Sequence, residues 1–184
     1  MLTHDLGRPA LPVAERLRFR EMTTSDLDDI ASLLGDERVM RFYPRPKTRP
    51  EALAWIEWSR RNYARDGFGL WVIEDLDGSF VGDCGLTWQM VDGQEELEVG
   101  YHIVPERQGA GLATEGAAAC RDFAAERGIP RLIAITNPEN VPSQRVAEKI
   151  GMTWERSTTT PSGVAITVHG MGLHSTPSAS TVLQ

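Results

Sequence analysis

The sequence predicts a mixed α/β domain in which one layer of sheet carries helices. Three observations lead there. The chain has 184 residues, 41% hydrophobic and 24% charged, which suits one domain with a buried core. Short runs with strand-like alternation recur between segments of helical spacing. Turn residues such as Asp77-Gly78, Asp92-Gly93 and Pro161-Ser162-Gly163 separate those runs. Read in order, the elements run β-α-α-β-β-β-α-β-α-β-β.

Residues 1–14 hold Gly7, Pro9 and Pro12 and read as an irregular leader. Residues 16–22 alternate, with Leu17, Phe19 and Met22 able to face one way, and predict the first strand. Thr24 or Ser25 can cap the first helix. Acidic residues follow in its first turn, Leu27, Ile30, Leu33 and Leu34 fall at helical spacing, and Gly35 stops it. The prolines and basic residues of 44–50 make a loop. Pro50 can open the second helix, which ends near Gly67.

Leu70–Glu74 and Phe80–Trp88 read as strands joined by the Asp77-Gly78 hairpin turn. A second turn at Asp92-Gly93 precedes the strand Leu97–Val104. A helix runs from about Thr114 to Arg127, then a strand over Arg131–Thr136 and a helix from Asn140 to Lys149. Met152–Arg156 and Val164–His169 are the last strands. The domain therefore covers 15–174, and the small polar residues of 175–184 read as a disordered tail.

Charge and composition exclude several classes. A net charge of −7 argues against a nucleic-acid binder, which needs a basic face. Cys84 and Cys120 form no CxxC pair and no disulfide framework, so they read as reduced and the protein as cytoplasmic. His4, His102, His169 and His174 show no metal-ligand spacing, so no metal is expected. The N-terminal residues lack the pattern of a signal peptide, and no apolar run is long enough to span a bilayer.

The stretch from Leu97 to Gly128 carries the chemistry. A strand ends at Val104, Pro105 stops further pairing, and Gly109 and Gly111 lead into a helix rich in small residues. Glycines let backbone N–H groups converge beside a helix N-terminus, a place that suits a phosphate. The Walker pattern needs Gly-Lys-Ser/Thr and this loop has no lysine; the dinucleotide fingerprint G-x-G-x-x-G also fails after Gly111. The glycines alone fit equally a turn that merely packs helix on sheet.

Longer motifs decide between these. Gln108-Gly109-Ala110-Gly111-Leu112-Ala113 resembles the Q/R-x-x-G-x-G/A motif of the GCN5-related N-acetyltransferases (GNAT), and residues 98–106 resemble the strand that leads into it. Asn140-Val141-Pro142-Ser143 and residues 146–152 resemble segments of the branch that acetylates ribosomal-protein N-termini (RimJ/RimL-like). The similarity spans about residues 16–173. It implies the GNAT fold, a central mixed but mostly antiparallel sheet of about seven strands with about four helices. It also implies acetyl-CoA as the cofactor, with CoA as product.

By that resemblance, the pantetheine of acetyl-CoA would run along His102, Ile103 and Val104, in a splay between the fourth and fifth strands. The pyrophosphate would sit on the amides of Gln108, Gly109, Ala110, Gly111, Leu112, Ala113 and Thr114. Glu98 takes the family's usual place for a general base, and the chemistry wants one, because an ammonium cannot attack a thioester. At pH 7, deprotonating an α-amine of pKa about 7.8 costs about 1 kcal/mol, and a lysine-like amine of pKa about 10.4 costs about 5. Against that role, Glu95 and Glu96 make a solvated charge run an equally simple reading of Glu98.

Asn140 caps a helix on the plain reading and contacts the cofactor on the family reading. Ser143 would lie near the departing sulfur. Many relatives use a tyrosine in that helix as the acid, but residues 140–152 contain none, so Ser143 or a water it holds is the candidate replacement; a CoA thiol also leaves tolerably without an acid. Arg145 and Lys149 read as solvated helix cations. Tyr43, Trp55, Trp58 and Trp88 are candidates for an acceptor pocket, although Trp55 and Trp58 also suit helix packing.

The expected activity is acetyl transfer from acetyl-CoA to a primary amine by direct attack in a ternary complex. The acceptor is a peptide N-terminus or a small molecule; a non-catalytic acyl-CoA sensor is the alternative. Neither nucleic acid nor membrane is an expected partner. The oligomeric state is open, a dimer included. The loops around 36–50 and 157–164 would choose the acceptor.

Overall fold

A computed structural model describes residues 10–173. The predicted leader is therefore seen only from Ala10 onward, where residues 10–14 form no helix or strand. The predicted tail and residues 1–9 lie outside the described residues. The elements are β1 (Leu17–Arg20), α1 (Leu27–Gly35), α2 (Glu37–Met40), α3 (Arg49–Asp66), β2 (Leu70–Asp75) and β3 (Phe80–Val91). They continue as β4 (Gln94–Ile103), α4 (Leu112–Glu126), β5 (Arg131–Thr136), α5 (Val141–Lys149), β6 (Thr153–Thr159) and β7 (Ala165–Gly172).

One sheet of seven strands holds the order β1-β2-β3-β4-β5-β7-β6. Every pairing is antiparallel except that of β4 with β5. The hairpin of β3 and β4 pairs from Gly82↔Ile103 to Val91↔Gln94. Both strands are longer than predicted because Asp92 and Gly93 take positive φ, 52° and 80°, which matches the strand twist and lets pairing reach the turn.

Five helices replace the four expected. The addition is the one-turn α2, started by Asp36, whose carboxylate accepts from the Arg38 N–H at 2.8 Å. Other boundaries shift for equally local reasons. The 3₁₀ turn Thr24–Asp26 precedes α1, and its cap is Thr23 rather than Thr24 or Ser25; the Thr23 N–H donates to Asp26 at 2.7 Å. α3 begins one residue before Pro50, with Thr48 and Glu51 forming a capping box. α4 begins at Leu112 rather than Thr114, because Gly111 turns the chain into the helix at φ 80°.

Alternation on the strands divides the core into two faces. Leu97, Val99 and Ile103 of β4 pack with Leu112, Ala117, Cys120 and Phe123 of α4. On the other face, Leu70 and Val72 of β2 pack with Ile30, Leu33, Ala52 and Ile56 of α1 and α3. Each large side chain so buried contributes about 1.5–3 kcal/mol. Cys84 and Cys120 are free and buried, with their sulfurs 3.7 Å apart. No described helix is long and apolar enough to cross a membrane.

Candidate active site

The parallel ladder of β4 and β5 has a single register pair, Glu98↔Ile133. Beyond it β4 still pairs with β3, but its other edge is free. Gly100–Ile103 of β4 and Ala134–Thr136 of β5 both line the cleft that opens there. The cleft holds about 1140 Å³, space enough for a large cofactor and an acceptor. Arg38, Val39, Arg41–Pro44, Thr159–Ser162 and Val164 flank it, so part of each loop expected to choose the acceptor borders the site, while residues 45–50 do not.

At the far end of β4, Gln108 donates through Nε2 to the Ile103 carbonyl at 2.9 Å and fastens the loop to the strand. Its side chain thus works structurally. Gly109 and Gly111 have φ of 78° and 80°, which other residues adopt only with strain. Among the described residues, no backbone amide from Gly109 to Thr114 donates to a protein group. These unpaired donors sit at the N-terminus of the 15-residue α4, and the helix dipole adds positive character there. Arg16 braces the loop, with Nη1 3.0 Å from the Ala110 carbonyl oxygen and Nε 2.6 Å from Glu115. The cradle fits a pyrophosphate, and the adjoining open strand edge fits the amides of a pantetheine arm.

The three neighbouring glutamates have different surroundings. Glu95 is exposed. Glu96 is buried between Arg131 at 2.8 Å and Arg156 at 2.7 Å. Glu98 is half-buried on the cleft wall opposite Thr87. Burial raises its carboxyl to about 7, against the lowering pull of the Ile135 amide, the His102 ring and the Thr87 and Gln89 side chains. Glu98 therefore does not belong to a solvated charge run. A carboxyl near 7 exchanges protons readily at neutral pH.

Across the gap, Asn140 caps α5, its Oδ1 accepting from the Ser143 N–H at 3.2 Å. The plain reading of Asn140 is thus observed, and the residue also borders the cleft. Ser143 has a partner absent from the sequence reading. The Tyr101 hydroxyl lies 2.9 Å from both its carbonyl oxygen and its Oγ. Tyr101 and Glu98 project from opposite faces of β4. Burial pushes the Tyr101 phenol above its ordinary range, so it keeps its proton. α5 has no tyrosine, but a strand tyrosine reaches its first turn; only the odd-numbered alternation of β4 toward the α4 side hinted at it.

The His102 side chain points to the other face. Its Nδ1 is 2.8 Å from Asp83 Oδ1, its Nε2 is 2.9 Å from the Tyr43 hydroxyl, and Trp55 Nε1 donates to Asp83 Oδ2 at 3.0 Å. Any cofactor contact by His102 thus falls to its backbone. Trp55 and Trp58 both line the cleft and pack on the α1–α3 core. Trp88 instead packs near Phe68, with ring centroids 6.4 Å apart, and does not border the cleft. Arg145 and Lys149, read as solvated, stand on its wall. Among the described residues, no His, Cys, Asp and Glu side chains group as a metal site.

Comparison with known proteins agrees with this geometry. The acetyltransferase (GNAT) domain family matches residues 16–153. An uncharacterized Bacillus subtilis protein, YkkB, is 36% identical over 148 residues, covering 79% of this chain and 86% of its own. The uncharacterized N-acetyltransferase YnaD of the same organism is 30% identical over 140 residues, with 75% and 79% covered. An acetyltransferase from Agrobacterium tumefaciens superposes with a TM-score of 0.77 at 24% identity, covering 91% of this chain and 98% of that one. A Salmonella typhimurium acetyltransferase described as modifying the N-terminal serine of ribosomal protein L7/L12 superposes at 0.73 with 16% identity, over 88% and 97%. A phosphinothricin acetyltransferase from Sinorhizobium meliloti, bound to acetyl-CoA, superposes at 0.68 with 14% identity, over 87% and 90%. Matched along most of its length and carrying the cradle and cleft its fold requires, the chain belongs to the GNAT acetyltransferase family and is an acetyl-CoA-dependent acyltransferase.

Proposed function

We propose that the protein acetylates a primary amine, with both substrates bound together in the cleft. The observation that carries this reading is the position of Glu98 at the mouth of the β4–β5 gap, with a carboxyl raised to about 7. Acetyl-CoA supplies an activated thioester. Its pyrophosphate rests on the free amides of Gly109 to Thr114, the Gln108 N–H being given to the Pro105 carbonyl at 3.3 Å, and its pantetheine arm lies along His102, Ile103 and Val104. Asn140 contacts the same arm through its free amide group. Arg145 and Lys149 are placed to neutralise phosphate charge.

Glu98 takes a proton from the acceptor ammonium, directly or through water. The freed nitrogen lone pair attacks the thioester carbonyl, and the carbon–sulfur bond breaks. Ser143 Oγ–H protonates the departing sulfur, the Tyr101 hydroxyl passes a proton to Ser143, and water returns one to Tyr101, which ends the turnover protonated. Residues 15–174 carry the whole reaction. The buried free thiols fit a cytoplasmic setting.

The acidity of Glu98 favours an α-amine. Moving a proton from an amine of pKa about 7.8 to a carboxylate near 7 costs about 1 kcal/mol, and from a lysine-like amine about 5. A peptide or protein N-terminus, or a small molecule with an amine of similar acidity, suits the site. The name of the Salmonella protein points to the first class and that of the Sinorhizobium protein to the second.

Free-thiol release from acetyl-CoA decides the matter. One acceptor pool holds short peptides with varied free N-termini, serine included, and the other holds small amines. Turnover with either pool is the expected result and selects the acceptor class. Tight acetyl-CoA binding without turnover in either pool contradicts the transferase reading and leaves an acyl-CoA sensor.

A further inference from the structure

Asp83 and His102 are cross-strand neighbours on β3 and β4, and they share the sheet face of Glu98 and Thr87. Asp83 is 0% exposed and His102 9% exposed. A buried carboxylate only accepts hydrogen bonds. Asp83 accepts two, from Trp55 Nε1 at 3.0 Å and from His102 Nδ1 at 2.8 Å. Nδ1 therefore carries a proton, and it is the neutral form of the ring that keeps a lone pair on Nε2. That lone pair faces the Tyr43 hydroxyl at 2.9 Å. Tyr43 must spend its own proton on the imidazole, and only its oxygen lone pairs remain for the cleft.

Between His102 and Glu98 the face is bare. The open position is Gly100, where a Cβ would meet only Leu70 Cδ2, at 3.7 Å; at its neighbour Gly85 the backbone of Gly69 and Leu70 fills that space. Leu70, Gly100, Tyr43 and Glu98 all border the cleft. The result is a trough with an apolar floor and oxygen acceptors at both ends. Tyr43 is 45% exposed, but desolvation of its hydroxyl against the cleft wall and the charges of Glu98 and Asp83 push the phenol upward, so it keeps the proton it donates.

We infer that Tyr43 determines acceptor specificity: locked by His102 and Asp83, its hydroxyl presents lone pairs to the acceptor, so the trough takes a cationic, N–H-donating amine and repels a carboxylate. His102 and Asp83 are positioning residues in this arrangement. The inference rests on the acetyl-transfer reading of the cleft.

The test uses whichever amine or serine peptide releases thiol fastest. Tyr43→Phe removes only the hydroxyl. Its KM for the amine should rise about tenfold, the size of one lost hydrogen bond to a charged group, while its KM for acetyl-CoA stays within twofold. Asp83→Asn can donate to Nδ1, which moves the ring proton to Nε2 and turns the Tyr43 proton toward the cleft. It should raise the amine KM by a similar factor, and the double variant should be no worse than either single one. A merely structural role predicts changes in both KM values and additive losses, and that result overturns the inference.

A second measurement needs no acceptor. The imidazole nitrogen resonances of His102 in the full-length protein with CoA bound should show the Nδ1–H tautomer. An Nε2–H tautomer or a doubly protonated ring in the wild type overturns the inference whatever the turnover. Absence of thiol release with every acceptor sinks the acetyl-transfer reading instead, and the tautomer still judges the role of Tyr43.

Discussion

Glu98 stands opposite Ile133 in the one register pair that joins β4 to β5. The position unites two requirements of acyl transfer. The pairing ends there, so strand edges become free for a ligand, and the residue at that point carries a carboxyl raised to about 7 by burial. Two residues earlier, Glu96 is held by Arg131 and Arg156, and past Ile103 the strand gives way to the turn that leads to Gly109 and Gly111.

Replacing Gly111 with aspartate tests the pyrophosphate cradle. Gly111 has φ 80°, a conformation that aspartate tolerates better than most residues, so the fold should survive. The aspartate Cβ would lie 3.5 Å from Arg16 Nη2, so the added carboxylate competes for the guanidinium that braces the loop and brings negative charge to a place meant for phosphate. Acetyl-CoA affinity should fall at least about a hundredfold, two charge-assisted contacts being worth that much. Titration calorimetry on a variant with an unchanged circular dichroism spectrum measures it; unaltered affinity would remove the loop from cofactor binding.

Tyr101→Phe and Ser143→Ala test the proton supply on the other side of the gap. The two hydroxyls share one hydrogen-bonded unit at 2.9 Å. Each change should lower kcat about tenfold with little change in KM for acetyl-CoA, and the double variant should lose no more than the worse single one. Steady-state kinetics of the four proteins provide the check. Independent, multiplying losses would show that the residues do not act as one unit.

Glu98 also leaves a mark on stability. Its folded pKa of about 7 lies above its ordinary carboxylate value, so the folded state binds the proton more tightly. Its contribution is fully present below the unfolded pKa and is lost as pH rises through about 7. Glu98→Gln, which stays neutral, should gain on the wild type between pH 5 and 8. The gain is at most about 3 kcal/mol, reduced by the water that reaches the cleft. Denaturant unfolding at both pH values measures it, and a difference that does not vary with pH would refute the raised carboxyl.

The parts of the site carried by consecutive residues were legible in the sequence. Gly109 and Gly111 announced a cradle because a phosphate loop is local, and Asn140 announced a cap for the same reason. The alternation of β4 gave the strand but not its company. Tyr101 reaches Ser143 across 42 residues, and Tyr43 reaches His102 across 59. Sequence spacing carries no signal for such contacts, because the sheet order that makes them is set by tertiary packing. The short α2 escaped notice because one turn has no periodicity to read. Glu96 and Glu98 look alike in the chain, and only their neighbours, Arg131 and Arg156 for one and the cleft wall for the other, separate an ion-paired carboxylate from a carboxyl raised to about 7.

The most direct test of the central claim is the pH dependence of acetyl transfer at saturating acetyl-CoA, for the wild type and Glu98→Gln with the same amine. The wild-type rate should climb through an apparent pKa near 7 to a plateau, and the variant should lack that limb and run about a hundredfold slower above it, the contribution of a positioned base. Identical profiles and rates for the two proteins would contradict a role for Glu98 in moving the proton.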